Sequence, residues 1–229
     1  MPLSGPSHYL TLAGPARSEV EVRRSRFVCD VAPVSTEAEA RAVMERTRLA
    51  SREARHHCTA FVLGPDAATA RSNDDGEPSG TAGAPMLEVL RGRGLTDVVA
   101  VVTRWFGGTL LGTGGLIRAY GDAVAMALDE ARLLRMELRE GLVLEVDHAS
   151  APRLEHTLRG LPSVEVRAVD YLPRAVRLHV AAAPDSASAV AEVVAVLTSG
   201  TGSVAGGEAS WVPSDPATPD DPRQPADGT

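Results

Sequence analysis

The run Val98-Val-Ala-Val-Val-Thr-Arg-Trp-Phe-Gly-Gly-Thr-Leu-Leu-Gly-Thr-Gly-Gly-Leu-Ile-Arg118 carries three signals in order. Val98 to Val102 is unbroken and apolar, which reads as a strand buried on both faces. A glycine-rich turn follows. From about 114 to 133, inward positions Leu116, Tyr120, Ala123, Val124, Ala127 and Leu128 then predict a long helix. Upstream, Val20, Val22, Phe27, Cys29 and Val31 alternate, so 8–33 reads as strands. Thr36 with Glu39 makes a capping box before Ala40, Val43, Met44 and Thr47, predicting a helix from about 37 to about 54. Thr59 to Leu63 reads as a strand. Arg71 to Gly83, rich in Asp, Gly, Ser and Pro, reads as a long polar loop, and Met86, Leu87 and Leu90 as a short helix after Pro85.

The pattern restarts near residue 136. A strand at about 138–147 precedes a helix from about Ser150, then strands at about 163–171 and 174–182. Asp185 can cap a helix carrying Val190, Val193, Val194 and Leu197, and Ser203 to Val212 can form one more strand. This β-α-β-β-α-β order is the split βαβ sandwich. The expected fold class is α+β in two domains, 18–135 and 136–212, after an N-terminal strand or extension at 1–17. The acidic, Pro-rich segment 213–229 has too little apolar content to pack and is expected to be disordered.

With 44% hydrophobic and 23% charged residues in 229, the chain can bury a core, but with 3% aromatics that core must be Ala, Val and Leu. All 23 basic residues are arginine, which with abundant Ala, Gly and Pro suggests a GC-rich coding genome. The net charge of −7 excludes a broadly basic nucleic-acid binder. Its distribution leaves a local patch open, because residues 1–135 hold 16 Arg and 16 acids while 136–229 hold 7 Arg and 14 acids. No apolar run approaches the roughly 18 residues of a membrane span, and the N-terminus lacks a basic start followed by an apolar segment. Cys29 and Cys58 fit neither a zinc knuckle nor a CxxC site. The expectation is a cytoplasmic protein with two reduced thiols.

Three constellations can carry chemistry. Asp74, Asp75 and Glu77, followed by Ser79 and Thr81, crowd three carboxylates into four positions. They face solvent, pair with arginines such as Arg104 and Arg118, bind a hard cation, or cap their own loop's amides. The spacing lacks the alternation of a calcium loop, so no metal is expected. The second, Arg104 through Arg118, offers Gly107, Gly108, Gly114 and Gly115 before a helix whose free amides favour an anion. It is neither GxGxxG nor a P-loop. Its positive end can meet an external phosphate or simply the neighbouring carboxylates. Third, Arg46, Arg48, Arg52, Arg55, His56 and His57 give a basic cluster that either stabilises a helix end or contacts RNA phosphate. His56 and His57, as strand neighbours, point to opposite faces. Trp105 and Phe106 can stack on a base, although at least one is expected in the core.

Asp74-Asp-Gly-Glu-Pro-Ser-Gly-Thr-Ala-Gly-Ala-Pro85 and Val101-Val-Thr-Arg-Trp-Phe-Gly-Gly-Thr-Leu-Leu-Gly112, with Ser25-Arg-Phe27, His56-His-Cys-Thr-Ala60 and Gly115-Leu-Ile-Arg-Ala-Tyr120, resemble the signature of the YigZ/IMPACT family. The chain departs from it at His57, where the family commonly has Asn, and at Arg24 and Arg26, where Lys is common. The resemblance implies an IMPACT-type domain resembling the second domain of a small-subunit ribosomal protein. A ferredoxin-like domain resembling the last domain of the translocation factor EF-G then follows. Both likenesses point to the ribosome, RNA or a translation factor as partner. The eukaryotic relative restrains a stress kinase through a separate N-terminal domain, for which the residues before 18 leave no room, so kinase regulation is not expected.

The leading expectation is therefore a non-enzymatic RNA- or ribosome-associated regulator of translation that uses no cofactor. Arg104 and Arg118, with Arg52 and Arg55, would hold phosphates, and the carboxylates would orient the arginines. The alternative is an enzyme whose small phosphorylated or anionic substrate lies between the 74–80 loop and the 107–115 glycines, with Asp74, Asp75 or Glu77 as base. A third class, a protein-interaction module, requires an exposed apolar patch. No catalytic residue set is implied, and the sequence carries no signal for oligomeric state.

Overall fold

In the computed structural model, residues 6–183 and 186–214 are described. Residues up to Met136 form one compact unit and Glu137–Pro213 a second. Both are α+β.

The first unit runs β1 (His8–Leu12), β2 (Ala16–Val22), β3 (Ser25–Pro33), α1 (Glu37–Ala50), β4 (His56–Leu63), β5 (Thr69–Asn73), α2 (Gly83–Gly92), β6 (Val98–Trp105) and α3 (Thr113–Glu130). Strands β2 to β6 form one antiparallel sheet in the order β2-β3-β6-β4-β5. Strand β6 is central and is buried from Val98 to Arg104 because both faces are covered. On one face Val98, Ala100 and Val102 pack with Met86 and Leu90 of α2 and Leu116, Tyr120 and Val124 of α3. On the other, Val99 and Val101 pack with Ala40 and Val43 of α1. Double coverage removes the polar alternation, which is why this strand reads as a solid apolar run.

Helix α1 starts as the capping box predicts, with Glu39 N–H donating to Thr36 Oγ1 at 3.2 Å. It ends at Ala50 and not near 54, because a turn closed by Ala54 N–H on the Ser51 carbonyl redirects the chain into β4. The polar-loop expectation for Arg71 to Gly83 is corrected at its start. Residues 71–73 belong to β5, an exposed edge strand whose identity lies in main-chain pairing to β4. Helix α2 begins at Gly83, before Pro85, which the first turn of a helix tolerates.

Strand β7 (Leu133–Val146) leads into the second unit, followed by α4 (Ala151–Arg159), β8 (Val164–Tyr171), β9 (Val176–Ala182), α5 (Ala187–Leu197), β10 (Ser203–Gly206) and β11 (Ser210–Ser214). The order β10-β7-β9-β8, antiparallel throughout, is that of a split βαβ sandwich. Leu144, Leu154, Leu158, Leu178, Val190 and Val194 form its core. The single strand expected at 203–212 is two, β10 and β11. The chain breaks at Gly207, whose N–H donates to the Gly141 carbonyl at 2.7 Å. The Asp185 cap, the first five residues and the tail beyond 214 lie outside the described residues.

Candidate functional site

Sheet register assembles the site. Phe27 of β3, Arg104 of β6 and His56 of β4 are cross-strand neighbours, Arg104 pairing with both. They share the face that carries Cys58 and Val102, under α3. Arg104 therefore points inward, and its side chain is only 6% exposed. Alternation then sends Trp105 to the other face. At least one aromatic of this pair is expected in the core, and neither is buried. Trp105 is half-buried, with the Arg26 guanidinium 4.5 Å from its ring centroid, and Phe106 is exposed.

A charge buried this deeply needs a partner. Glu77, whose side chain is 4% exposed, supplies it, with Arg104 Nη1 donating to Oε1 at 2.6 Å. The Tyr120 hydroxyl donates to the same oxygen at 2.8 Å, and the Cys58 thiol donates to the Tyr120 oxygen at 3.3 Å. Arg104 Nη2 donates to Ser25 Oγ at 3.3 Å, and Gly107 N–H reaches that oxygen at 3.2 Å. Gly107 is required where it stands. A Cβ there would collide with the Arg24 carbonyl. Arg104 Nε has no hydrogen-bond partner among the described residues.

The other two carboxylates organise the loop. Asp74 accepts from the amides of Gly80, Ala82 and Gly83 at 2.8, 3.0 and 2.8 Å, and so caps α2 from outside the helix. Burial works against its charge, but these three donors outweigh it and hold the carboxyl below its usual range. Asp75 accepts from His57 N–H at 2.7 Å and from Arg48 at 3.1 Å. It too is partly buried, yet those partners keep it below the carboxylate range. Its carbonyl accepts from His56 Nδ1 at 2.8 Å, which fixes that ring's tautomer. His57, on the opposite face, lies against Thr103 Oγ1 at 3.2 Å. Burial first, then Arg48, lowers its pKa and favours the neutral ring. Burial pushes the Cys58 thiol up to about 12, which favours the protonated thiol over the thiolate. Thr81 is buried and donates to the Pro78 carbonyl at 2.6 Å, while Ser79 is exposed.

Beside this network lies a cavity of about 450 Å³. Arg55, His56, Glu77 and Arg104 supply its polar lining, Phe106, Leu110, Leu111 and Leu116 its apolar wall, and Gly112 and Thr113 the start of α3. Of the expected basic residues, Arg104 and Arg55 line it. Arg52 and Arg118 are exposed and do not line it. Gly114 and Gly115 belong to the first turn of α3, and Gly108 adopts φ +83°. Tyr120 and Ser25 join the network beyond the expected site residues, and Arg48, expected only as part of the basic cluster, pairs with Asp75. Tyr120 had a signal, since a tyrosine on an apolar helix stripe must find a partner for its hydroxyl. Among the described residues no group of three or more His, Cys, Asp or Glu is arranged to hold a metal ion.

Residues 23–128, which hold this network, match the family model of the Impact N-terminal domain. "IMPACT family member YvyE" of Bacillus subtilis is 42% identical over 151 residues, 66% of this chain and 70% of that protein. The chain belongs to the YigZ/IMPACT family. A second IMPACT family member, YigZ of Escherichia coli, is 45% identical over 122 residues, 52% of this chain and 60% of that protein. The solved structure titled "Crystal structure of an hypothetical protein" aligns with a TM-score of 0.66 at 34% identity, covering 89% of this chain and 98% of that one. Among the described residues, no helix of this IMPACT-family chain is long and apolar enough to cross a membrane.

Proposed function

We propose that this IMPACT-family protein is a non-enzymatic, RNA- or ribosome-associated regulator of translation. The observation that carries the reading is the cleft at the end of β6. It combines the start of α3, Arg55 and an exposed aromatic ring, Phe106. A helix start and an arginine favour phosphate, and an exposed ring favours an unstacked base. Exposed Arg52 lies on the turn that leads to Arg55 and extends the basic character there. The likenesses implied by the family, to a ribosomal-protein domain and to a domain of EF-G, support the same direction. In this reading Arg104 has a revised role. With Glu77 as its partner it shapes the cleft and contributes little net charge.

A reading as an enzyme with Asp74, Asp75 or Glu77 as general base finds less support. A base needs a free lone pair and a raised pKa. Asp74 and Asp75 are occupied by donors and shifted downward, and Glu77 is held by Arg104 and Tyr120.

The test is binding of single-stranded RNA and co-sedimentation with ribosomes across a salt series. The expected log–log slope is about −0.7 per phosphate contact for a single strand. Arg55→Ala and Arg52→Ala each flatten the slope by about that amount. Absence of binding to both RNA and ribosomes at low salt refutes the proposal.

A further inference from the structure

The β2–β3 turn breaks a local rule. Register pairs Val22 with Ser25, so Arg23 and Arg24 alone join the two strands. Both have positive φ, 47° and 69°. A two-residue hairpin loop of this kind, type I′, favours Asn-Gly or Asp-Gly. Glycine lacks the Cβ that opposes positive φ, and Asn or Asp offsets the cost with a local hydrogen bond. Arginine does neither. Both side chains are exposed, and among the described residues neither has a hydrogen bond or an ion pair. No side-chain contact within the fold offsets the strain, and strain of this kind gathers at functional sites.

The turn stands where other unpaired arginines gather. Strands β3 and β4 flank β6, and the Arg24 carbonyl lies against Gly107, the residue after Phe106. On the β4 side Arg55 lines the cleft with Phe106, and Arg52 lies on the turn before it. These two are likewise exposed and unpaired among the described residues. By contrast Arg17, Arg41 and Arg93 of the same unit are answered by Asp30, Glu37 and Asp129. The neighbouring carboxylates are engaged, Glu19 by Arg26, Glu77 by Arg104, Asp75 by Arg48 and Glu53 by Trp105 Nε1. Glu21, opposite Arg26 in register, is left against four arginines. Strand spacing puts the two arginine pairs about 10 Å apart, with Phe106, 43% exposed, just past the end of the strand between them.

We propose that the β2–β3 turn is a phosphate grip for single-stranded RNA. Arg23 and Arg24 hold the backbone on one side of Phe106, and Arg52 and Arg55 hold it on the other. The strained turn is what placing two adjacent long cations at a hairpin tip requires. The proposal rests on the RNA reading above and deepens it by giving that surface a second arm. Arginines on both sides of an exposed ring suit a strand whose phosphates and unstacked bases are both within reach.

Binding of a labelled single-stranded decanucleotide RNA is measured for the full chain across a salt series, beside binding of vesicles containing phosphatidylserine. One phosphate contact on a single strand contributes about 0.7 log unit at about 0.1 M salt. Arg23→Gln/Arg24→Gln therefore weakens RNA binding about 25-fold there and flattens the log–log slope by about 1.4. Arg23→Lys/Arg24→Lys keeps the charge and restores the slope. Arg23→Asn/Arg24→Gly supplies the residues that the turn prefers. It loses the same affinity while its urea midpoint holds or rises, by up to about 0.5 M. A merely structural turn does not move binding and stability in opposite directions. RNA binding that the Gln pair leaves unchanged overturns the grip and leaves the RNA reading standing. A midpoint lowered by the Asn-Gly pair overturns the strained turn and the proposal with it. Vesicle binding lost in the Gln pair, with RNA binding intact, assigns the arginines to a membrane surface and overturns the grip. An unaltered chain that binds no RNA overturns the grip, and the RNA reading falls too when ribosomes also fail to co-sediment.

Discussion

Glu77→Gln removes one charge from a pair whose side chains are 6% and 4% exposed, and it does so almost without changing shape. Gln can still accept a hydrogen bond at the position of Oε1, so what is lost is the countercharge to Arg104. The guanidinium is packed near the rings of Phe27 and Phe106, with Cζ 5.3 and 5.7 Å from their centroids, contacts it would have to give up to turn toward water. Deprotonation is no escape for an arginine either. Removing one partner of a buried pair costs about 3–5 kcal/mol. At a urea slope of about 2 kcal/mol/M this lowers the midpoint by roughly 1.5–2.5 M. The assay is urea unfolding followed by Trp105 fluorescence in a Trp211→Phe background, because the chain has two tryptophans and Trp105 lies at the end of β6. The variant Glu77→Gln/Arg104→Gln, with both charges gone, should be more stable than the summed single losses by about 2 kcal/mol or more. A Glu77→Gln loss below about 1 kcal/mol, the value of a surface pair, or additive singles, would refute the description of this pair as a buried, coupled unit.

Glycine chemistry in the β6–α3 connection gives a contrast between neighbours. Gly107→Ala drives a Cβ into the Arg24 backbone and should cost at least about 2 kcal/mol. Gly114→Ala enters open space at a helical position and should be neutral or stabilise by up to about 1 kcal/mol in the same denaturation assay. Acid titration of stability tests the loop. Asp74 and Asp75 are held below their ordinary values, so the unfolded chain takes up protons first, and their contribution is lost as pH falls below about 4. Asp74→Asn should lower stability at pH 7 and flatten that acid limb. His57 is also shifted downward, so stability should already decline as pH falls through about 6.5, and His57→Asn should remove that part. Both cysteines are fully buried, and burial raises both thiol pKa values, so a disulfide-exchange reagent should label neither until denaturant is added.

Much of the fold was legible locally. The apolar run of β6, the α3 stripe, the Thr36–Glu39 cap and the βαββαβ order of the second unit follow from side-chain period and capping chemistry, which are short-range. Strand β5 was not, since an exposed edge strand earns its identity from pairing and carries no apolar face. The division of 203–214 into two strands turns on the close approach of Gly207 to Gly141, a contact across more than sixty residues of chain.

The run from Val98 to Arg118 shows where sequence ends and tertiary structure begins. By itself it determined a buried strand, a glycine turn and a helix with an open positive start. Elsewhere the sequence puts three carboxylates, Asp74, Asp75 and Glu77, in one loop, and the run itself carries arginines that could answer them. Which arginine answers which carboxylate was decided only by folding. Strand alternation turned Arg104 inward beside Phe27 and His56, where the cost of burying its charge demanded Glu77. The loop's own amides hold Asp74, which caps α2, and Arg118 stands exposed on helix α3. Sequence period sets which side chains share a face, but the pairing of charges depends on which faces the chain brings together.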